Sequence, residues 1–232
     1  MNRVGFLRAS WVVAAKDLRL EWRTFETLST SFVFSLIVLL IFNFAFSFST
    51  IRELGAARLV PGVVWTVLAF GAVVTMTRSM QIERQRDTLS ALFMAPVDRG
   101  ALFTGKFLAN LVKLTVLQWF VLPLSAIFFD YDLLSVAGPM ILVLFLHAIG
   151  ITELGTLFAG IATRLGRGEA LLATLLFPAV SPLFISAVKC TAALLDGQGL
   201  GGAAGTWLLV TVGFDFLYFF VALLTFEYVL EE

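Results

Sequence analysis

The sequence predicts an all-α, polytopic membrane protein with six crossing helices, preceded by an amphipathic interfacial helix. Three observations predict it. Apolar residues make up 59% of the chain and charged residues 14%, with mean hydropathy +0.96; soluble domains sit nearer about 45–50% and about 25%. Six stretches are long and apolar enough to cross a bilayer. Lysine and arginine are divided very unevenly among the segments between them.

The net charge is zero, so no nucleic-acid partner is expected. Cys190 is the single cysteine, which excludes a disulfide within the chain. It is expected to act as an inert apolar filler. No cleavable signal peptide is expected, because the first apolar run is too long for one and starts behind a long charged segment.

That charged segment, FLRASWVVAAKDLRLEWR at 6–23, comes first. At helical spacing Leu7, Trp11, Ala14, Leu18 and Trp22 form one stripe. Arg8, Lys16, Arg19 and Arg23 gather beside it. Too many charges lie here for a crossing. The pattern is that of a helix lying in the interface, with its cations among anionic headgroups.

A helix rises about 1.5 Å per residue and the hydrocarbon layer is about 30 Å thick, so about 20 apolar residues make one crossing. Helix is the economical choice, because lipid offers backbone groups no other partner. The crossings are expected at 28–48, 60–80, 102–127, 136–162, 170–190 and 207–229. With the N-terminus inside, twelve cations fall on the inner side: Arg3, Arg8, Lys16, Arg19, Arg23, Arg78, Arg84, Arg86, Arg99, Lys106, Arg164 and Arg167. Three fall outside, Arg52, Arg58 and Lys189. This bias places both termini in the cytoplasm. The last outer loop, DGQGLGGAAG at 196–205, is glycine-rich.

Residues 100–107, GALFTGKF, imitate a P-loop up to the position that should be Ser or Thr, which is Phe107. A P-loop needs that hydroxyl for magnesium and a strand before its helix. Here a membrane helix follows and no soluble α/β domain surrounds the stretch, so no nucleotide site is expected. Gly100 is expected to end a loop, and Lys106 to anchor the third crossing at the headgroups.

The preceding inner loop, 82–99, is more informative. Asp87 or Thr88 is suited to cap a short helix. Leu89, Leu92 and Phe93 fall at i, i+3 and i+4, and Pro96 ends the pattern. Such an element suits docking into a groove on a cytoplasmic partner. A helix resting on the headgroups is the alternative.

Within the crossings, ionisable residues are functional candidates by default. Lys113 and Glu153 lie at similar depth, which suggests mutual neutralisation; a water-lined cavity or a direct transport role are the alternatives. His147, the only histidine, is read chiefly as an interhelical hydrogen-bonder, with heme ligation as the alternative. Asp215 is expected at a polar crevice or a dimer seam. Asn43, Asn110 and Gln118 are expected to bond between helices, and Gly155 with Ala159 to give a close helix contact. No pattern of catalytic carboxylates, nucleophile or metal ligands is present in the sequence, and no enzyme site is expected.

The chain resembles the heme exporter protein B (CcmB) family. The carrying stretches are KDLRLEWRT (16–24), FNFAF (42–46), PGVVW (61–65), RSMQIE (78–83), LFMAPVDR (92–99), GK (105–106) and LLFPAVSPLFISAV (175–188). They extend over most of the chain. The resemblance implies an ABC-2 exporter-type permease of the bacterial inner membrane, acting as two copies with an ATP-binding subunit in cytochrome c maturation. It implies no firmly bound cofactor here, ATP in the partner, and heme as a candidate substrate. It also implies a heme-handling membrane subunit, a small single-span subunit and a heme chaperone as further partners. Contact with the ATPase falls on the 83–95 region: Leu89, Leu92 and Phe93 for packing, with Glu83, Arg84, Arg86 and Asp87 for charge complementarity. An ABC-2 permease for a drug or polysaccharide, and a membrane scaffold without ATP coupling, are the rival readings.

Overall fold

The computed structural model describes residues 5–46, 53–85, 98–164 and 168–229. Every regular element among them is helical: α1 Phe6–Thr24, α2 Glu26–Ala45, α3 Ala56–Gln85, α4 Arg99–Phe129, α5 Ala137–Arg164, α6 Gly168–Leu195 and α7 Ala203–Val229, with a single 3-10 turn at Leu134–Val136. Six of these, all but α1, are long and apolar enough to cross a membrane. The chain is a multi-pass membrane protein. At about 1.5 Å per residue, α4 with its 31 residues is about 46 Å long, so it reaches beyond the hydrocarbon.

Five of the six helices are longer than the crossings expected from the sequence, while α2 ends at Ala45. The third crossing begins at Arg99 because Asp98 caps it: its Oδ1 accepts from the backbone N–H of Gly100 at 2.8 Å and of Ala101 at 3.3 Å. Gly100 therefore lies in the first turn of α4 instead of ending a loop. The whole GALFTGKF stretch is continuous helix, so no phosphate-cradling turn exists there.

Between α1 and α2 the chain turns at Phe25, whose φ of 49° places a non-glycine residue in the left-handed region. The turn is fixed from both sides. Phe25 N–H donates to Glu21 O at 2.7 Å, closing α1. The Glu21 carboxylate, buried at the corner, accepts from Leu28 N–H at 2.8 Å and so caps α2.

α3 is the central helix. Of its most apolar window 72% is buried, against 22% for α2 and for α7, and it packs on α2, α4, α5 and α6. The main core runs through α2–α7 and includes Trp65, Leu68, Leu117, Val143 and Leu176. A smaller cluster of Val13, Leu102, Phe103, Phe107, Leu157 and Ala222 joins α1 to α4, α5 and α7. Proline inside a crossing frees a carbonyl. In α6, where Pro182 has no N–H for Pro178 O, the Ser181 hydroxyl donates to that oxygen at 2.8 Å.

α1 divides its surface differently from a simple interfacial helix. Leu7, Trp11 and Trp22 face outward, as an acyl boundary would have them. The face turned to the protein is small and acidic, made of Ala9, Ser10, Val13, Ala14, Asp17 and Glu21. It lies against α4 at Gly105, where an added Cβ would stand 2.6 Å from Val13 Cβ and 2.7 Å from Ser10 O. Only a residue without a side chain lets the two helices approach this closely.

Glu83 and Arg84 lie on the last turn of α3. The short helix expected around Leu89, Leu92 and Phe93, with Arg86 and Asp87, lies outside the described residues.

Candidate functional site

Polar side chains inside the bundle form three groups. The first joins α1, α3 and α4. Lys106, expected at the headgroups, is buried and pairs with Asp17, its Nζ 2.7 Å from Oδ2. The contact is one of charge, since that oxygen has no aligned donor. Lys16 reaches the other oxygen at 3.2 Å from a much more exposed position. Deeper along α4, Lys113 Nζ donates to Ser79 Oγ of α3 at 3.0 Å. Asp17, Leu20, Glu21, Ser79, Ile82 and Lys113 line one crevice where the three helices meet. The arrangement ties α1 to α4, and α4 to α3, on either side of the 82–99 loop.

The second group lies between α3, α5, α6 and α7. His147 Nδ1 is 2.7 Å from Val143 O, and Nε2 is 3.0 Å from Thr211 Oγ1. A carbonyl only accepts, so in the neutral imidazole Nδ1 carries the proton and Nε2 accepts from the threonine. Thr211 Oγ1 lies 2.7 Å from Ser186 Oγ, which donates to Trp207 O at 2.8 Å. The Trp65 ring sits 5.1 Å from the imidazole, and its Nε1 donates to Thr191 Oγ1 at 2.9 Å. Both imidazole nitrogens are thus engaged within the protein. Heme ligation by His147 does not fit this geometry, whereas the interhelical role does. Cys190 is buried in the same region, its thiol directed to Ala204 O at 3.4 Å.

The third group is Glu153 of α5 and Asp215 of α7. Asp215 Oδ1 fills the space that a side chain at Gly150 would occupy, one turn of α5 before Glu153. Depth along the helices suggested a Lys113–Glu153 pair. The structure instead directs Lys113 Nζ to Ser79 Oγ and leaves Glu153 Oε2 without a hydrogen-bond partner. Rise per residue fixes depth but not the direction a side chain faces, and direction decides partnership here.

The neutral polar residues are where helix packing requires them. Asn43 donates to Phe128 O at 2.8 Å, Asn110 to Thr156 Oγ1 at 3.1 Å, and Gln118 to Leu144 O at 3.1 Å, each between two helices. Gly155 takes the Met76 thioether of α3 directly against its backbone. Asp17 and Glu21 were not singled out from the sequence. Their one signal was that they fall at i and i+4 on a helix otherwise rich in cations. Among the described residues, no cluster of three or more His, Cys, Asp or Glu could hold a metal ion.

These features describe a helical membrane bundle braced at one end, with no cluster of metal-ligating side chains among the described residues. No individual curated protein matches the chain. The family model described as CcmB protein matches residues 8–230, nearly its full length. The chain belongs to the CcmB family, the permease component of the heme exporter in cytochrome c maturation.

Proposed function

We propose that this chain converts the motion of a separate ABC ATPase into rearrangement of its own crossings. It sits in the bacterial inner membrane with both termini in the cytoplasm, as the distribution of Lys and Arg favours. Two copies act together, with ATP held in the partner subunit and no cofactor held firmly here. The work done is heme export, or release of a loaded heme chaperone from a heme-handling membrane subunit. A small single-span subunit completes the set of partners.

The observation that carries this reading is the bracing around the 82–99 loop. Lys106–Asp17 and Lys113–Ser79 join the two helices that flank the loop to each other and to α1. A push on the loop from a cytoplasmic partner then moves three helices as a unit rather than bending one. Leu89, Leu92 and Phe93 take that push, while Glu83, Arg84, Arg86 and Asp87 align the contact electrostatically.

Purification in mild detergent tests it. The ATPase co-purifies with the wild-type chain and is lost with Leu92→Asp or Phe93→Asp, while both variants still reach the membrane. Full retention of the ATPase by both variants contradicts the coupling role. A deletion strain with normal c-type cytochromes contradicts the assignment to their maturation and favours a permease for another substrate.

A further inference from the structure

Glu153 of α5 and Asp215 of α7 lie at the seam between these two helices, Asp215 against Gly150, one turn of α5 before Glu153. Both are buried, at 2% and 8% exposure, within helices that cross the membrane. Gly150 makes the approach possible, since its missing side chain is replaced by the Asp215 carboxyl. Glu153 follows three residues later on the same face of α5. Glu153 Oε2 and Asp215 Oδ1 are each buried without a hydrogen-bond partner. An orphaned acceptor in such surroundings is costly, and two bare carboxylates side by side repel as well.

The surrounding groups offer them little direct neutralisation. On α4, Lys113 directs Nζ to Ser79 Oγ. On α5, His147 has its ring nitrogens on Val143 O and Thr211 Oγ1. On α7, Tyr218 donates its phenol to Ala179 O of α6 at 2.7 Å. α6 brings the apolar Leu183 to Gly150, and α3 brings Met76 to Gly155. Arg78 lies two positions beyond Met76, about 200° around α3, and so faces another way.

We infer that Glu153 and Asp215 form a proton-binding site inside the bilayer, in which the two buried carboxyls retain one proton. The proton comes from water, the charge of the pair changes by one, and no other bond is made or broken. One proton removes the repulsion between the two carboxyls. Because α5 and α7 each supply one carboxyl, parting these helices separates the pair and weakens its hold on the proton. Proton release is thereby linked to helix packing. The inference rests on the α5–α7 contact alone and stands apart from the ATPase reading.

The test uses the full-length protein in lipid nanodiscs. An apolar carbodiimide forms a stable N-acylurea with a protonated carboxylic acid, and peptide mass spectrometry locates it. At neutral pH an adduct is expected at Glu153 or Asp215, with no more than one of the two modified per chain. In Asp215→Asn the repelling neighbour is gone, so the pH at which Glu153 loses reactivity should fall by at least about one unit, a tenfold weaker hold on the proton. The infrared carbonyl band of a protonated carboxylic acid reads the same proton without needing reagent access. It is expected in the wild type at neutral pH and lost in Glu153→Gln/Asp215→Asn. Absence of that band from the folded wild-type protein overturns the inference. So does reaction of both carboxyls in acid only, or protection by sodium or potassium at fixed pH, which would assign the seam to a metal cation.

Discussion

Lys106 Nζ lies 2.7 Å from Asp17 Oδ2, and both side chains are buried. This ion pair holds α1 against α4 beside Gly105, where the two backbones come too close for any side chain. A segment that reads as a surface helix is in this way built into the transmembrane body.

Asp17→Asn should destabilise the protein by about 3 kcal/mol, since breaking a buried pair leaves a charge without its counterpart. Lys16 also contacts Asp17, so Lys106→Gln should cost less than Asp17→Asn. The double variant should lose less than the sum of the two. Denaturant titration of the detergent-solubilised protein reads all three, and strictly additive losses contradict a direct pair.

Gly105→Ala should cost about 1–3 kcal/mol, the usual effect of forcing extra volume into a packed contact. The obstacle includes the Ser10 carbonyl, a backbone atom that cannot rotate aside. Gly213→Ala is the control, because nothing lies within 4 Å of its added Cβ. Thermal melting should separate the two variants clearly. Equal melting temperatures would show that α1 does not rest on Gly105.

His147→Phe should weaken the bundle by about 0.6–1.7 kcal/mol, the range for one interhelical hydrogen bond in a membrane. It should leave unchanged the absorption spectrum of any heme that co-purifies, because both ring nitrogens already have partners in the protein. A shifted heme spectrum in this variant would show that the imidazole reaches iron.

Tyr131 lies in the turn after α4, where its phenol is 2.8 Å from Ser125 Oγ. Burial pushes the phenol above its ordinary value, and the Ser125 hydrogen bond offsets part of this. A group whose proton is held more tightly in the fold stabilises it fully below its unfolded value, near 10. That contribution is lost as pH rises through the folded value. The wild type should therefore lose stability in alkali more steeply than Tyr131→Phe. Parallel pH–stability curves would contradict this.

The crossings were legible because hydrocarbon demands long apolar helices, and no tertiary contact is needed to see them. Asn43, Asn110 and Gln118 were legible for a related reason: an amide in lipid must find a partner, and neighbouring helices supply it. Gly155 was legible as a small residue suited to close packing. Other parts depend on azimuth, which spacing does not give. Lys106 read as a headgroup anchor until α1 folded over it and brought Asp17. Lys113 shared a depth with Glu153 but turned its Nζ to Ser79 of α3. Asp17 and Glu21 drew no reading from the sequence, because it does not show that α1 docks at Gly105 with this face buried.

The central claim is that a cytoplasmic ATPase pushes on the loop between α3 and α4. A cysteine placed at Ser90 tests it most directly, because the native Cys190 is buried. With a maleimide that cannot cross the membrane, Ser90→Cys should stay unlabelled from the outer face of intact spheroplasts and become labelled once the membrane is opened. Labelling from the outer face would put the loop on the wrong side of the bilayer for any such partner and contradict the account.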